Sequence, residues 1–85
     1  MTSNKFLDIA KEKACEVLKE KHGIDVPANE VEPVWFAHEL GYKKCTLYHK
    51  DFGHWYPEVT YNRDSKELYI DWYLKQSNTK FTHIE

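Results

Sequence analysis

The sequence has few residues of the kinds that small proteins use for special structures: three glycines, three prolines and two cysteines among 85 residues. Three scattered glycines do not form the glycine-rich loop that cradles a phosphate in nucleotide-binding proteins. Two cysteines are too few for a disulfide framework, and we expect both to be reduced thiols. No apolar stretch reaches the roughly 20 residues that cross a bilayer, and the N-terminus lacks a signal-peptide core, so we expect a cytoplasmic location.

The chain also lacks a strong charge of either sign, because twelve basic residues stand against fourteen acidic ones. A net charge of −2 does not steer a protein to nucleic acid, and we expect neither nucleic acid nor a membrane as a partner. Aromatic residues, in contrast, make up 15% of the chain. A protein of this size has a modest core, so some of these aromatics are expected on a functional or self-associating surface.

Hydrophobic periodicity predicts an amphipathic helix followed by a sheet. Apolar residues share one stripe over residues 4–22, where Ser3 or Asn4 can cap the start and Gly23 can end the helix. After a connector with a helical turn, period-two alternation predicts strands over 34–39, 44–49, 55–62 and 67–75, and then a polar tail over 76–85 in which Phe81 and Ile84 could dock. The first of these strands could also be helical.

The short turns between the strands favour antiparallel neighbours. The predicted fold is therefore a single α+β domain, residues 1–85, with an N-terminal amphipathic helix packed on a four-stranded antiparallel meander sheet.

Alternation along the strands predicts two different sheet faces. One face is apolar and should pack against the helix: Val34, Phe36, Cys45, Leu47, Val59, Leu68, Ile70 and Trp72. The other face mixes aromatic with acidic side chains: Tyr48, Tyr56, Glu58, Tyr69, Asp71, Tyr73 and, as a further candidate, Trp35. Tyrosine offers a large contact area and a polar tip, so this second face is the candidate partner-binding site. Three interpretations stay open: ordinary half-exposed strand tyrosines, a homodimer interface, or a site for another partner or ligand.

Catalytic and metal chemistry lack the arrangements they need. Glu58 and Asp71 form a carboxylate pair on neighbouring strands, but a small meander offers a shallow face and no pocket. Cys15 and Cys45 are predicted to be buried and inert. The histidines match no zinc-binding spacing, and we interpret those near the strands as exposed residues at strand ends: His38, His49 and His54. We expect no enzyme activity, no metal and no cofactor.

The last predicted hairpin carries a distinctive pattern. Tyr56-Pro57-Glu58-Val59-Thr60-Tyr61-Asn62, followed by Asp64-Ser65-Lys66-Glu67-Leu68-Tyr69-Ile70-Asp71 and Tyr73, resembles a family of small uncharacterised proteins of phages and prophages of Gram-positive bacteria. The starts Lys5-Phe6-Leu7-Asp8-Ile9-Ala10-Lys11 and Val34-Trp35-Phe36 are similar too, whereas Pro57 stands where that family usually has an aromatic residue. The resemblance implies a phage-derived accessory protein and carries over no functional residues.

Together, these features predict a non-enzymatic accessory protein that binds a bacterial host or defence protein and modulates it, an anti-CRISPR-like inhibitor being one form. The phenols would supply contact area, and Glu58 and Asp71 would supply charge specificity. The alternative is a small-ligand or nucleotide-binding protein that stacks its ligand on the tyrosines. A third hypothesis is an enzyme that uses the two carboxylates.

Overall fold

The computed structural model describes residues 1–75 and 79–83 of the chain. Among these residues it contains a helix and four strands: α1 (Ser3–His22), β1 (Glu32–Glu39), β2 (Tyr42–Tyr48), β3 (Trp55–Asn62) and β4 (Glu67–Leu74). The strands pair antiparallel in the order β1-β2-β3-β4. The predicted α+β fold, a helix followed by a four-stranded meander, is confirmed. No helix in the described part of the chain is long and apolar enough to span a bilayer.

The helix has defined caps at both ends. It begins one residue earlier than predicted because Thr2, and not Ser3 or Asn4, is the N-cap: its hydroxyl accepts a hydrogen bond from the Lys5 N–H at 3.1 Å. At the C-terminus Gly23 adopts the left-handed conformation, with φ of 66°, and its N–H donates to the Lys19 carbonyl at 3.0 Å. This second cap is the predicted one.

The strand boundaries differ from the prediction mainly around the first hairpin. β1 is a strand and not a helix, and it starts at Glu32. β2 starts at Tyr42, earlier than the predicted residue 44, because Leu40 and Gly41 alone form the turn and Gly41 supplies its positive φ of 79°. β3 has its predicted bounds, and β4 ends one residue early, at Leu74.

The core lies between α1 and one face of the sheet, called the inner face below. Phe6, Ala10, Ala14 and Leu18 recur every four residues along the helix and are all buried, so they form a single stripe. The two alanines allow a close approach to β2 and β3, the strands that α1 contacts most. The inner face contributes the apolar residues predicted for it, among them the fully buried Cys45, Leu47 and Val59.

Val34 is the exception, and its predicted place on the inner face is wrong. Its side chain is 63% exposed, because the pairing of β1 with β2 shifts register between Pro33 and Trp35. Val34 is the extra residue of this bulge, so simple alternation does not apply to it. Phe36, beyond the bulge, returns to the inner face with its ring centroid 6.1 Å from that of Phe6.

The C-terminal tail is described only in part. Phe81 does not dock, since its side chain is 75% exposed. Ile84, the other residue that could dock, lies outside the described residues.

Candidate functional site

The face of the sheet opposite α1 gathers the predicted partner-binding residues, and we call it the outer face. Strand pairing fixes their arrangement: Glu58 lies directly opposite Asp71, and Tyr56 lies directly opposite Tyr73. The aromatic members of the outer face are Trp35, Tyr42, Tyr48, Tyr56, Tyr69 and Tyr73. Its central charged members are Lys44, Glu58 and Asp71.

The outer-face aromatics stand open to solvent. Their exposed fractions run from 40% for Tyr56 to 51% for Tyr48 and Tyr69. The helix covers only the inner face, and no other described element packs on the outer one. The predicted alternation is therefore confirmed for this face: its phenols point away from the helix.

Two contacts fix the positions of tyrosine side chains on β3 and β4. The rings of Tyr56 and Tyr73 stack with centroids 5.5 Å apart and planes inclined by 24°. The hydroxyl of Tyr69 donates a hydrogen bond to Glu67 Oε2 at 2.9 Å, and this bond to a carboxylate raises the pKa of Tyr69. Such contacts give the surface a partly fixed shape, which lowers the entropy cost of binding a partner.

The charges of the outer face are unequally compensated. Lys44 Nζ lies 3.2 Å from Glu58 Oε1, so a cation holds this carboxylate. Asp71 forms no ion pair with any residue in the described ranges 1–75 and 79–83. A partner with a basic group opposite Asp71 would therefore meet a carboxylate that is not already held.

Sequence reasoning missed Tyr42 and Lys44 as members of the outer face. The predicted strand over 44–49 does not include Tyr42. The signal for both residues was present, because Tyr42, Lys44, Thr46 and Tyr48 follow period two without interruption.

The two cysteines are both buried and free, as predicted. Burial raises the pKa of Cys15, and it raises the pKa of Cys45 to about 11. Thiols of this kind are poor nucleophiles near neutral pH. Within residues 1–75 and 79–83 there is also no group of three or more His, Cys, Asp and Glu side chains placed to hold a metal ion.

His49 corrects the interpretation of the strand-end histidines as exposed. It follows β2 and caps a short 3₁₀ helix, Lys50–Phe52, where its Nδ1 accepts a hydrogen bond from the Asp51 N–H at 3.0 Å. The ring is only 6% exposed, and its Nε2 lies 3.3 Å from Glu30 Oε2. Since Nδ1 accepts, Nε2 carries the proton and donates to Glu30. His49 is thus a structural link between two loops, whereas His38 and His54 are exposed as expected.

Comparison with known proteins gives a family and no activity. Neither the curated proteins nor the solved structures contain a significant match to this chain. One protein family matches, over residues 7–83, which include all but the first residues of α1 and the whole sheet. The chain therefore belongs to DUF6275, a family of unknown function.

Proposed function

We propose that the chain is a non-enzymatic, phage-derived accessory protein that acts in the cytoplasm of a bacterial host. Its outer face binds a host or defence protein and modulates it, in the manner of an anti-CRISPR-like inhibitor. One observation carries the proposal: six aromatic side chains, each 40–51% exposed, stand on a sheet face that no described element covers.

The composition of the outer face favours a protein partner. Exposed aromatic residues are enriched where binding energy concentrates in protein interfaces, and contiguous exposed apolar surface is otherwise uncommon on small soluble proteins. Glu58 and Asp71 stand at the centre of this surface, which favours a partner with basic side chains. Both carboxylates lie on an open face, an arrangement that favours binding over acid–base catalysis.

Affinity capture from a bacterial lysate, followed by mass spectrometry, tests the proposal. We expect the wild-type chain to retain a defined bacterial protein, and the Tyr69→Ala/Tyr73→Ala double variant to lose it. Phe81→Ala is the matched control, because it removes an exposed aromatic residue outside the outer face. Loss of the partner with Phe81→Ala, together with retention in the double tyrosine variant, would contradict the proposal.

A small ligand or nucleotide stacked on the tyrosines is the second candidate. The stacked pair of Tyr56 and Tyr73 supports it, since each ring still presents one face on which a base could lie. Protein purified without added nucleotide would then carry an absorbance band of a nucleobase, and Tyr73→Ala would lose this band. A homodimer through the same face would instead appear as a doubled mass in sedimentation, and Tyr73→Ala would reduce that mass to the monomer.

A further inference from the structure

A second candidate site lies at the end of the sheet that carries the β1–β2 turn. His38, Lys43 and Tyr61 stand next to one another across β1, β2 and β3, in the same row of the inner face. They open into a cavity of about 240 Å³. Its lining consists of Met1, His38, Gly41, Tyr42, Lys43, Tyr61 and Arg63.

Lys43 is the unusual member of this cavity. Its side chain is only 8% exposed, because Lys43 points to the inner face of the sheet, as do Cys45 and Leu47 on the same strand. Its Nζ lies 3.1 Å from His38 Nε2. An ammonium group only donates hydrogen bonds, so His38 Nε2 accepts and the ring of His38 carries its proton on Nδ1.

The described residues give Lys43 no carboxylate partner. No ion pair involves Lys43 anywhere in residues 1–75 and 79–83. Lysine is rarely buried unless it is paired, since a buried charge without a partner of opposite sign destabilises the fold. An anion bound in the cavity would supply the compensating charge.

The other charged side chain of the cavity lining is also positive. Arg63 contributes a guanidinium group, and the lining contains no acidic residue, although the chain as a whole has a net charge of −2. The acid nearest to this arginine in sequence is Asp64, whose Oδ1 lies 3.9 Å from Arg63 Nε in an exposed pair. The Asp64 carboxylate also borders the cavity, since its Oδ2 lies 3.7 Å from where a Cβ at Gly41 would stand, so it opposes an anion there.

We propose that this cavity binds the phosphate group of a small phosphate-bearing molecule. The donors suit a tetrahedral oxyanion: the remaining protons of the Lys43 ammonium and the guanidinium fork of Arg63. Tyr61, which shares the inner face with Lys43, lines the cavity beside them. The site differs from the outer face and does not depend on the proposed function.

Titration with inorganic phosphate, followed by amide chemical shifts in NMR, tests the site on the full chain. We expect saturable shifts confined to residues around 38, 43 and 63, and an affinity at least about tenfold weaker for Lys43→Met, which loses a charge-assisted hydrogen bond. Lys44→Met is the matched control: it removes the neighbouring cation, which points to the outer face, and should change the affinity less than twofold. Equal affinities for the two variants, or no saturable shift in the wild type, would overturn the proposal.

Two exposed positions keep the test decisive if Lys43→Met fails to fold. Arg63→Ala should weaken phosphate binding severalfold, and Asp64→Asn should strengthen it, because these side chains carry opposite charges beside the cavity. Unchanged affinity in both variants would contradict the site. Phenyl phosphate distinguishes a phosphate monoester from free phosphate as the ligand: tighter binding than inorganic phosphate indicates that Tyr61 holds the substituent.

Discussion

The inner and outer faces of the sheet come from the same four strands and both are rich in large side chains, yet only the inner face is covered. Under the helix, Cys45 and Val59 are fully buried. On the outer face, all six aromatic residues keep 40–51% of their surface. Burial separates two groups of large side chains: those buried on the inner face hold the fold together, whereas those of the outer face are exposed and available for binding.

The largest expected loss of stability comes from a substitution in α1, where the helix packs against the inner face. Phe6 is fully buried, so Phe6→Ala should lower the free energy of unfolding by about 3–5 kcal/mol through lost burial and a residual cavity. The exposed Tyr69 is the control on the other face, and Tyr69→Ala should cost less than about 1 kcal/mol. Urea denaturation followed by tryptophan fluorescence measures both. Equal losses would remove the proposed difference between the faces.

Alkaline pH tests how much the buried Cys45 thiol of the inner face contributes to stability. Burial raises the pKa of Cys45 from 9.0 to about 11, so the unfolded chain loses this proton first as the pH rises. The stabilising contribution is complete below pH 9, and between pH 9 and about 11 it is lost, by at most about 2–3 kcal/mol. The free energy of unfolding of the wild type should therefore fall more steeply over this range than that of Cys45→Val. Parallel pH profiles would show that the buried thiol contributes nothing.

The smallest effect concerns the outer face alone. The stacked rings of Tyr56 and Tyr73 should couple by about 0.5–1.5 kcal/mol in a double-mutant cycle with alanine. Tyr48 and Tyr69 lie on strands that do not pair, so their substitutions should add within about 0.5 kcal/mol. A coupling in the second pair as large as in the first would mean that the outer face is a packed layer and not an open surface.

Local patterns predict the C-terminal hairpin and the two faces well. β3 has its predicted bounds because strict alternation runs up to a polar turn, which fixes the phase of both strands. The segment after residue 34 allowed both helix and strand, and pairing with β2 decided for the strand.

The remaining differences depend on contacts that are distant in sequence. The bulge at Val34 exists only relative to β2, and the burial of His49 follows from a loop at Glu30 that lies 19 residues earlier. The outer-face residues Tyr42 and Lys44 could have been found by extending the alternation of Thr46 and Tyr48 back by four residues. The cavity around Lys43 could not, because it requires the registers of three strands at once.

Pro57 has a consequence for how the chain can vary. The Arg63 N–H donates to the Gly41 carbonyl, and in an antiparallel ladder such bonds recur at every second residue of the strand. On this pattern the N–H of residue 57 would point to the Leu47 carbonyl. Proline has no N–H to give, and the pairing of these two strands ends at Thr46 and Glu58. The segment between Tyr48 and Trp55 therefore carries no rung of that ladder. Side chains hold this connection instead, so it can change only where the buried His49 and Phe52 stay in place.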